Sequence, residues 1–296
     1  MARMPSYHVP LAHGRALLLG PRTLVMGILN VTPDSFSDGG RYADVDAAIE
    51  RGRRMVAEGA DILDIGGETT RPGARPVDAA EEWRRVGPVI AGLAQTTDAV
   101  ISIDTYKASV ARAAIDAGAA LVNDISGLQY DHDLGRVIAE TRAGVVLMHM
   151  RGTSHDMYAA ATYEHVIDEV ARELWDAMMR AHDAGIAREA LVLDPGIGFA
   201  KRAGHSLSLL AHLDAQPMAA LERPWLLGPS RKSFLTSTIG DVPPAERDWA
   251  TAAAVTASVL FGAHIVRVHR VAEMVQVVRV ADTIRAARAG GRAAGA

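Results

Sequence analysis

The sequence predicts an α/β protein, a (β/α)8 barrel of the TIM-barrel class, and three observations predict it. Short apolar runs alternate eight times with amphipathic helical patterns. The runs are apolar almost throughout, as strands buried on both faces of a parallel sheet must be. Polar residues gather just past nearly every run, where a barrel collects its loops on one face. The 296-residue chain also accommodates the roughly 250 residues such a barrel needs.

Each element follows in order. Residues 7–21 are expected to form an N-terminal extension, a β-hairpin turning at His13-Gly14. Strand and helix then alternate at 24–29 and 44–58, 62–65 and 78–95, 99–103 and 107–117, and 120–125 and 132–141. The second half continues at 145–148 and 163–184, 190–193 and 204–215, 225–227 and 246–261, and 265–268 and 271–287. Gly59, Gly118, Gly144 and Gly185 stand where helix C-terminal caps should fall. An open doubly wound sheet would alternate in the same way, but no Gly-x-Gly-x-x-Gly follows the first run. The expectation is one domain over 1–296, with a core at about 22–288 and a disordered Gly/Ala-rich tail at 289–296.

Composition narrows the function. The chain is 49% hydrophobic and 22% charged, enough to bury a large core, and with 5% aromatics that core must be mostly Ala, Val, Leu and Ile. There is no cysteine, which excludes disulfides, thiolate nucleophiles and Cys-ligated zinc. A net charge of −4 without a long basic block argues against nucleic-acid partners. No apolar run approaches the roughly 20 residues of a membrane helix, and residues 1–10 lack the apolar core of a signal peptide. A cytoplasmic protein without a membrane partner is the expectation.

Only two asparagines, Asn30 and Asn123, and three lysines, Lys107, Lys201 and Lys232, occur among 31 Lys+Arg residues. In an Arg- and Ala-rich chain, these are the positions where chemistry resists replacement. All five lie at or just past an apolar run, and an arginine cannot serve where a compact ammonium is needed. Asp104, Asn123, Asp194 and Lys232 end four different strands and converge in a barrel. Carboxylates accept from NH and NH2, an amide does both, and an ammonium donates to a carbonyl or ring nitrogen. Together they suit a flat heterocycle, with Ile125, Met148 and Phe199 as apolar walls. Asn30, Arg71, Arg267 and His269 form a second group, suited to a pyrophosphate with Mg2+. Two long loops, 32–40 and 69–74, are placed to fold over the mouth.

Several segments carry a family resemblance. They are Asn30-Val31-Thr32-Pro33-Asp34-Ser35-Phe36, Gly66-Gly67-Glu68-Thr69-Thr70-Arg71-Pro72-Gly73, Asp104-Thr105-Tyr106-Lys107, Asn123-Asp124-Ile125, Asp194-Pro195-Gly196-Ile197-Gly198-Phe199, Ser230-Arg231-Lys232-Ser233 and Arg267-Val268-His269. In this order, from about residue 24 to 285, the chain resembles the dihydropteroate synthases. The resemblance implies condensation of dihydropterin pyrophosphate with p-aminobenzoate, giving dihydropteroate and pyrophosphate. It implies a pterin site of Asp104, Asn123, Ile125, Met148, Asp194, Phe199, Gly228 and Lys232. It implies a pyrophosphate site of Asn30, Thr70, Arg71, Arg267 and His269, with Mg2+ on Asn30 and, less directly, Asp34. The implied p-aminobenzoate site is Phe36, Thr70, Pro72, Lys232 and Ser233, with the start of the seventh barrel helix meeting the carboxylate. Asp104, Asp194, Lys232, Arg71 and Asp34 are the implied catalytic groups, and a homodimer is the implied assembly.

Departures from the family pattern are few. Arg270 stands where an Asp is usual, and could forfeit about 0.5–2 kcal/mol of helix capping or add a phosphate contact. Ala200 replaces a Gly, which matters if that residue needs a positive φ. Arg231, Lys107, Lys201 and His149 read as supporting residues. Two other readings share the pterin contacts: a non-catalytic paralogue, and a methyltetrahydrofolate-binding methyltransferase domain. The second should lack both the Ser230–Ser233 segment and the Thr-Pro-Asp-Ser-Phe loop.

Overall fold

The computed structural model describes residues 4–32, 41–69, 76–153, 159 and 161–290. Strands β1 (Tyr7–Pro10) and β2 (Ala16–Leu19) form the expected antiparallel hairpin, with Tyr7 opposite Leu19. Its turn carries His13 at φ 59°, and the His13 Nε2 lies 3.0 Å from the Ile115 carbonyl oxygen. Leu11 and Ala12 are buried, and the Ala12 N–H donates to the Ala120 carbonyl at 3.3 Å. The hairpin therefore plugs the barrel end at which the strands begin.

Eight parallel strands follow: β3 (Leu24–Asn30), β4 (Ile62–Gly66), β5 (Val100–Asp104), β6 (Leu121–Asp124), β7 (Gly144–Met148), β8 (Leu191–Asp194), β9 (Leu226–Leu227) and β10 (Ile265–Val268). They pair in the order β8-β7-β6-β5-β4-β3-β10-β9, and a parallel bridge between Leu193 and Trp225 joins the two ends. The register sets Asn30 opposite Gly66, Gly66 opposite Asp104, Asp104 opposite Asn123, and Met148 opposite Asp194. Polar strand ends thus stand level around one rim.

Helices α1 (Arg41–Ala57), α2 (Ala79–Thr96), α3 (Ala108–Asp116), α4 (Leu134–Thr141), α5 (Val166–Asp183), α6 (Ala203–Ala211), α9 (Asp248–Leu260) and α10 (Val271–Gly290) surround the strands. Two one-turn helices, α7 (Gln216–Ala219) and α8 (Thr236–Ile239), lie between them in the chain. In α2 the Asp78 side chain caps the Glu81 N–H at 2.8 Å. Its inner stripe of Val86, Val89, Ile90 and Leu93 is fully buried. Each such side chain stabilises the fold by about 1.5–3 kcal/mol.

The structure corrects four expectations. Gly144 is no cap: it opens β7, and Arg142 takes the left-handed position at φ 54°. Glycine is needed at 144 because a Cβ there would lie 2.4 Å from Leu11. The sixth barrel helix ends at Ala211, and Pro217 starts α7 separately. Ser233 and the start of the seventh barrel helix, expected to meet one carboxylate, lie on separate elements: Ser233 opens a 3-10 turn, Ser233–Leu235, leading into α8. Gly240 at φ 84° and Pro243-Pro244 then separate that turn from α9. Ala289 and Gly290, assigned to the tail, are the last turn of α10, while 291–296 lie outside the described residues. Among the described residues no helix is long and apolar enough to cross a membrane.

Candidate active site

The rim brings polar and charged groups from β4, β5, β6 and β10 into one bonded set. The Arg267 Nε donates to Asp64 Oδ2 at 2.5 Å, and its Nη2 donates to Asp104 Oδ2 at 2.7 Å. The Asn123 Nδ2 donates to the same Asp64 oxygen at 2.9 Å. That donation turns the amide so that its oxygen is the acceptor left for another partner. Arg267, predicted to hold pyrophosphate, is thereby placed among the pterin candidates, with Gly228 packed along its stem. A methyl group on Gly66 would lie 3.6 Å from Asp104 Oδ2 and 3.8 Å from Asn30 Oδ1, so Asn30 adjoins this set.

Asp64 was not anticipated. It sits in the middle of β4, fully buried, and its other oxygen has no hydrogen-bond partner among the described residues. Ser102, its neighbour across β5, also has a buried oxygen without one. Such atoms are costly until a donor reaches them. They mark the barrel floor as a place where a ligand N–H or a water arrives.

The opposite side, β7 to β9, is built differently. Asp194 accepts from the Gly196 N–H at 2.7 Å. Lys232 rests its ammonium 3.5 Å from the Phe199 ring centre, a cation–π contact. Ile125, Met148 and Phe199 do come together as an apolar wall, with Met150 and Ala200. Ala200 has φ 47°, the left-handed conformation that its replacement of Gly put in question.

Burial moves the proton affinities of these groups toward neutrality. Desolvation raises Asp104 to about 7, opposed chiefly by Arg267. Desolvation raises Asp194 to about 6, opposed by the Gly196 N–H and by Lys232. Desolvation lowers Lys232 to about 7, and Arg267 lowers it further. Three groups poised near pH 7 on one barrel face are what an active site requires. By contrast, a 470 Å³ cavity beside Trp175, Met178 and Leu191 lies near the start of β8, away from these groups.

At the rim, His269 Nδ1 lies 2.9 Å from the Ser230 hydroxyl, and burial with Arg267 beside it pushes the imidazole down to about 3. It is therefore neutral. In the tautomer in which Nδ1 accepts from Ser230, its Nε2–H is left as a donor. Arg231 is structural: its Nε and Nη2 hold Asp248 at 2.8 and 2.9 Å, across from Lys232 in a turn at φ 59°. Arg270 pairs with Glu273 on the helix surface at 2.9 Å, an exposed contact. Lys107 binds Glu68 and the buried Glu82. Asp34, Phe36, Thr70, Arg71 and Pro72 lie outside the described residues.

Among the described residues, no three acidic or histidine side chains cluster as a metal site. The exposed Asn30 oxygen beside Gly66 is the one candidate ligand of the expected set that is described. A magnesium carried largely by pyrophosphate and water fits that single donor; an all-protein metal cage does not.

A barrel with a buried, polar floor and an apolar wall beside it suits an enzyme for a flat nitrogen heterocycle. The chain belongs to the pterin-binding enzyme family, whose model matches residues 26–269. It is 45% identical to the dihydropteroate synthase of Synechocystis over 93% of this chain and 95% of that one. It is 43% identical to the Xanthomonas albilineans dihydropteroate synthase solved with 4-aminobenzoic acid, over 94% of this chain and 99% of that one, with a TM-score of 0.86. A structure of the X. albilineans synthase in complex with 7,8-dihydropteroate matches at 41% identity over the same shares, with a TM-score of 0.83.

Proposed function

We propose that this chain is a dihydropteroate synthase that joins dihydropterin pyrophosphate to p-aminobenzoate. The observation that carries the reading is the convergence of Asp104, Asn123, Asp194 and Lys232 around Arg267 at one barrel mouth. Asp194 accepts from the ring NH and NH2 of the pterin, Asn123 accepts through its amide oxygen, and Lys232 donates to the ring carbonyl or a ring nitrogen. Ile125, Met148 and Phe199 cover the ring faces.

The reaction is a dissociative substitution. The pterin CH2–O bond breaks, and its electron pair leaves on pyrophosphate. The carboxylates Asp194 and Asp104 stabilise the cation left on the ring and methylene. Arg71 and the neutral His269 N–H hold the leaving group, with Thr70 and Asn30 beside them. Asn30, with Asp34, would hold a magnesium ion, which would supply positive charge for the pyrophosphate oxygens. The arylamine lone pair then attacks the CH2 carbon, and the nitrogen gives its proton to the released pyrophosphate. The amine is already neutral at pH 7, so no strong base is needed. Phe36, Thr70, Pro72 and Ser233 hold p-aminobenzoate, its carboxylate at the N–H groups of the turn opened by Ser233. The rest of the reading is a single barrel domain acting as a homodimer in the cytoplasm. The exposed apolar side chains Trp249 on α9 and Val280 and Ile284 on α10 would take part in the contact.

The test is pyrophosphate release from the purified protein given both substrates and Mg2+. Release that requires p-aminobenzoate supports the synthase. Pterin binding without release means a non-catalytic paralogue and ends the proposal.

A further inference from the structure

Lys201 is one of three lysines in the chain, and the mechanism above leaves it unused. It is 2% exposed. Its Nζ lies 2.8 Å from His149 Nδ1, 3.0 Å from the Phe199 carbonyl oxygen and 3.4 Å from the His149 carbonyl oxygen. An ammonium donates three hydrogen bonds and accepts none, so these atoms use its full set. His149 then accepts at Nδ1 and donates from Nε2 to Glu173 Oε2 at 2.9 Å. Glu173 is held in turn by Arg151. One cation thus ties the turn after β8, which carries Phe199, to the end of β7.

The same cation adjoins Asp194. The His149 N–H donates to the Asp194 carbonyl at 2.9 Å, and the Gly196 N–H donates to its carboxylate. A Cβ on Gly196 would lie 2.0 Å from the His149 carbonyl oxygen and 3.2 Å from Lys201 Nζ. Asp194 from β8 and Glu173 from α5 favour the Lys201 proton; Arg151 after β7 and Lys232 after β9 oppose it. His205 on α6, itself pushed down by burial, also faces this charge. Desolvation, aided by the two cations, outweighs the carboxylates and takes Lys201 down to about 7. In return Lys201 is among the cations that oppose the rise of Asp194 on burial.

We propose that Lys201 is a positioning residue for the pterin site: its buried ammonium fixes the turn bearing Phe199 and supplies positive charge behind the Asp194 carboxylate. The inference rests on reading this pocket as a pterin site. The test is the pH profile of kcat/KM for the pterin substrate in the wild type and in Lys201→Met, which keeps the stem and removes the charge. Loss of a nearby cation raises the proton affinity of a carboxylate, so the acid limb moves to higher pH, by roughly one unit for a charge a few ångströms away. A uniform rate loss with the limb unmoved would mean a purely structural lysine and overturn the proposal. Should Lys201→Met fail to fold, Glu173→Gln asks the same question. Without that carboxylate Lys201 loses its proton at lower pH, and the limb moves the same way by less; an unmoved limb again overturns the idea. If the wild type shows no turnover, the synthase reading fails by itself. The pH dependence of pterin-6-carboxylate binding, followed by its fluorescence, then still tests Lys201.

Discussion

The two halves of the barrel mouth are organised on opposite plans. Across β4, β5, β6 and β10, charges are bonded to one another: Arg267 to Asp64 and Asp104, and Asn123 to Asp64. Across β8 and β9, Asp194 and Lys232 face the mouth without such pairing. Asp194 takes a backbone N–H, and the Lys232 ammonium makes no hydrogen bond or ion pair with described residues. The first half pairs its charges before any ligand arrives, leaving only Asp64 Oδ1 and Ser102 Oγ without a partner among the described residues, so it mainly sets shape. The second holds its charge in reserve for a ligand. This is the division between preorganisation and reaction that electrostatic catalysis needs.

The comparison breaks most sharply on Asp194. Asp194→Asn should lower kcat by about 1000-fold with the thermal midpoint unchanged; near-normal turnover would remove Asp194 from the mechanism. Lys232→Met follows, with kcat/KM reduced about 100-fold. Its pH profile is the sharper reading. Asp104 and Asp194 both work ionised, so activity falls as pH drops through about 7 and then about 6. Lys232 works protonated, so activity falls as pH rises through about 7. The wild type should therefore be bell-shaped, and Lys232→Met should flatten the alkaline limb. Asp64→Asn tests the paired half. Removing one of the two carboxylates on buried Arg267 should cost about 2–4 kcal/mol of stability in a denaturant titration. If Asp64→Asn cost no stability while Asp194→Asn unfolded the protein, the two halves would have been read the wrong way round.

Why Asp64 escaped the sequence and Asp104 did not is a matter of position within a strand. Asp104, Asn123 and Asp194 end their apolar runs, where any barrel gathers function, so counting strands was enough to find them. Asp64 lies inside Ile62–Gly66, flanked by Leu63 and Ile65. The signal was present: an acid within a run buried on both faces must have a charged or polar partner. The identity of that partner was not, because Arg267 is 203 residues away. The same holds for Lys201, whose rarity flagged it while its links to His149 and Glu173 needed tertiary packing. Local chemistry was readable where backbone geometry is generic, as with the His13-Gly14 turn. It misled at Gly144, where the glycine answers a close approach by Leu11 rather than a helix end.

The smaller predictions refine the ligand-facing half. Ser233 heads its own 3-10 turn, whose leading N–H groups suit a carboxylate. Ser233→Ala should raise KM for p-aminobenzoate about 10-fold and leave KM for the pterin substrate near its wild-type value. Equal losses for both substrates would detach Ser233 from the p-aminobenzoate site.

The smallest expected effect is at Ala200, where two terms oppose each other. At φ 47° an alanine is strained by about 1 kcal/mol, which a glycine would relieve. Its methyl group is also fully buried against Ile125, Met148 and Met150, and losing it costs about 0.8 kcal/mol. Ala200→Gly should therefore shift the unfolding free energy by less than about 0.5 kcal/mol. The strain relief is local to the turn bearing Phe199, so pterin affinity is the more telling measurement. Unchanged affinity would show that Lys201 and the Tyr163 hydroxyl, which donates to the Ala200 carbonyl at 3.0 Å, hold the turn whatever residue 200 prefers. A weaker pterin site at unchanged stability would show instead that the methyl group is part of the wall the ring packs against.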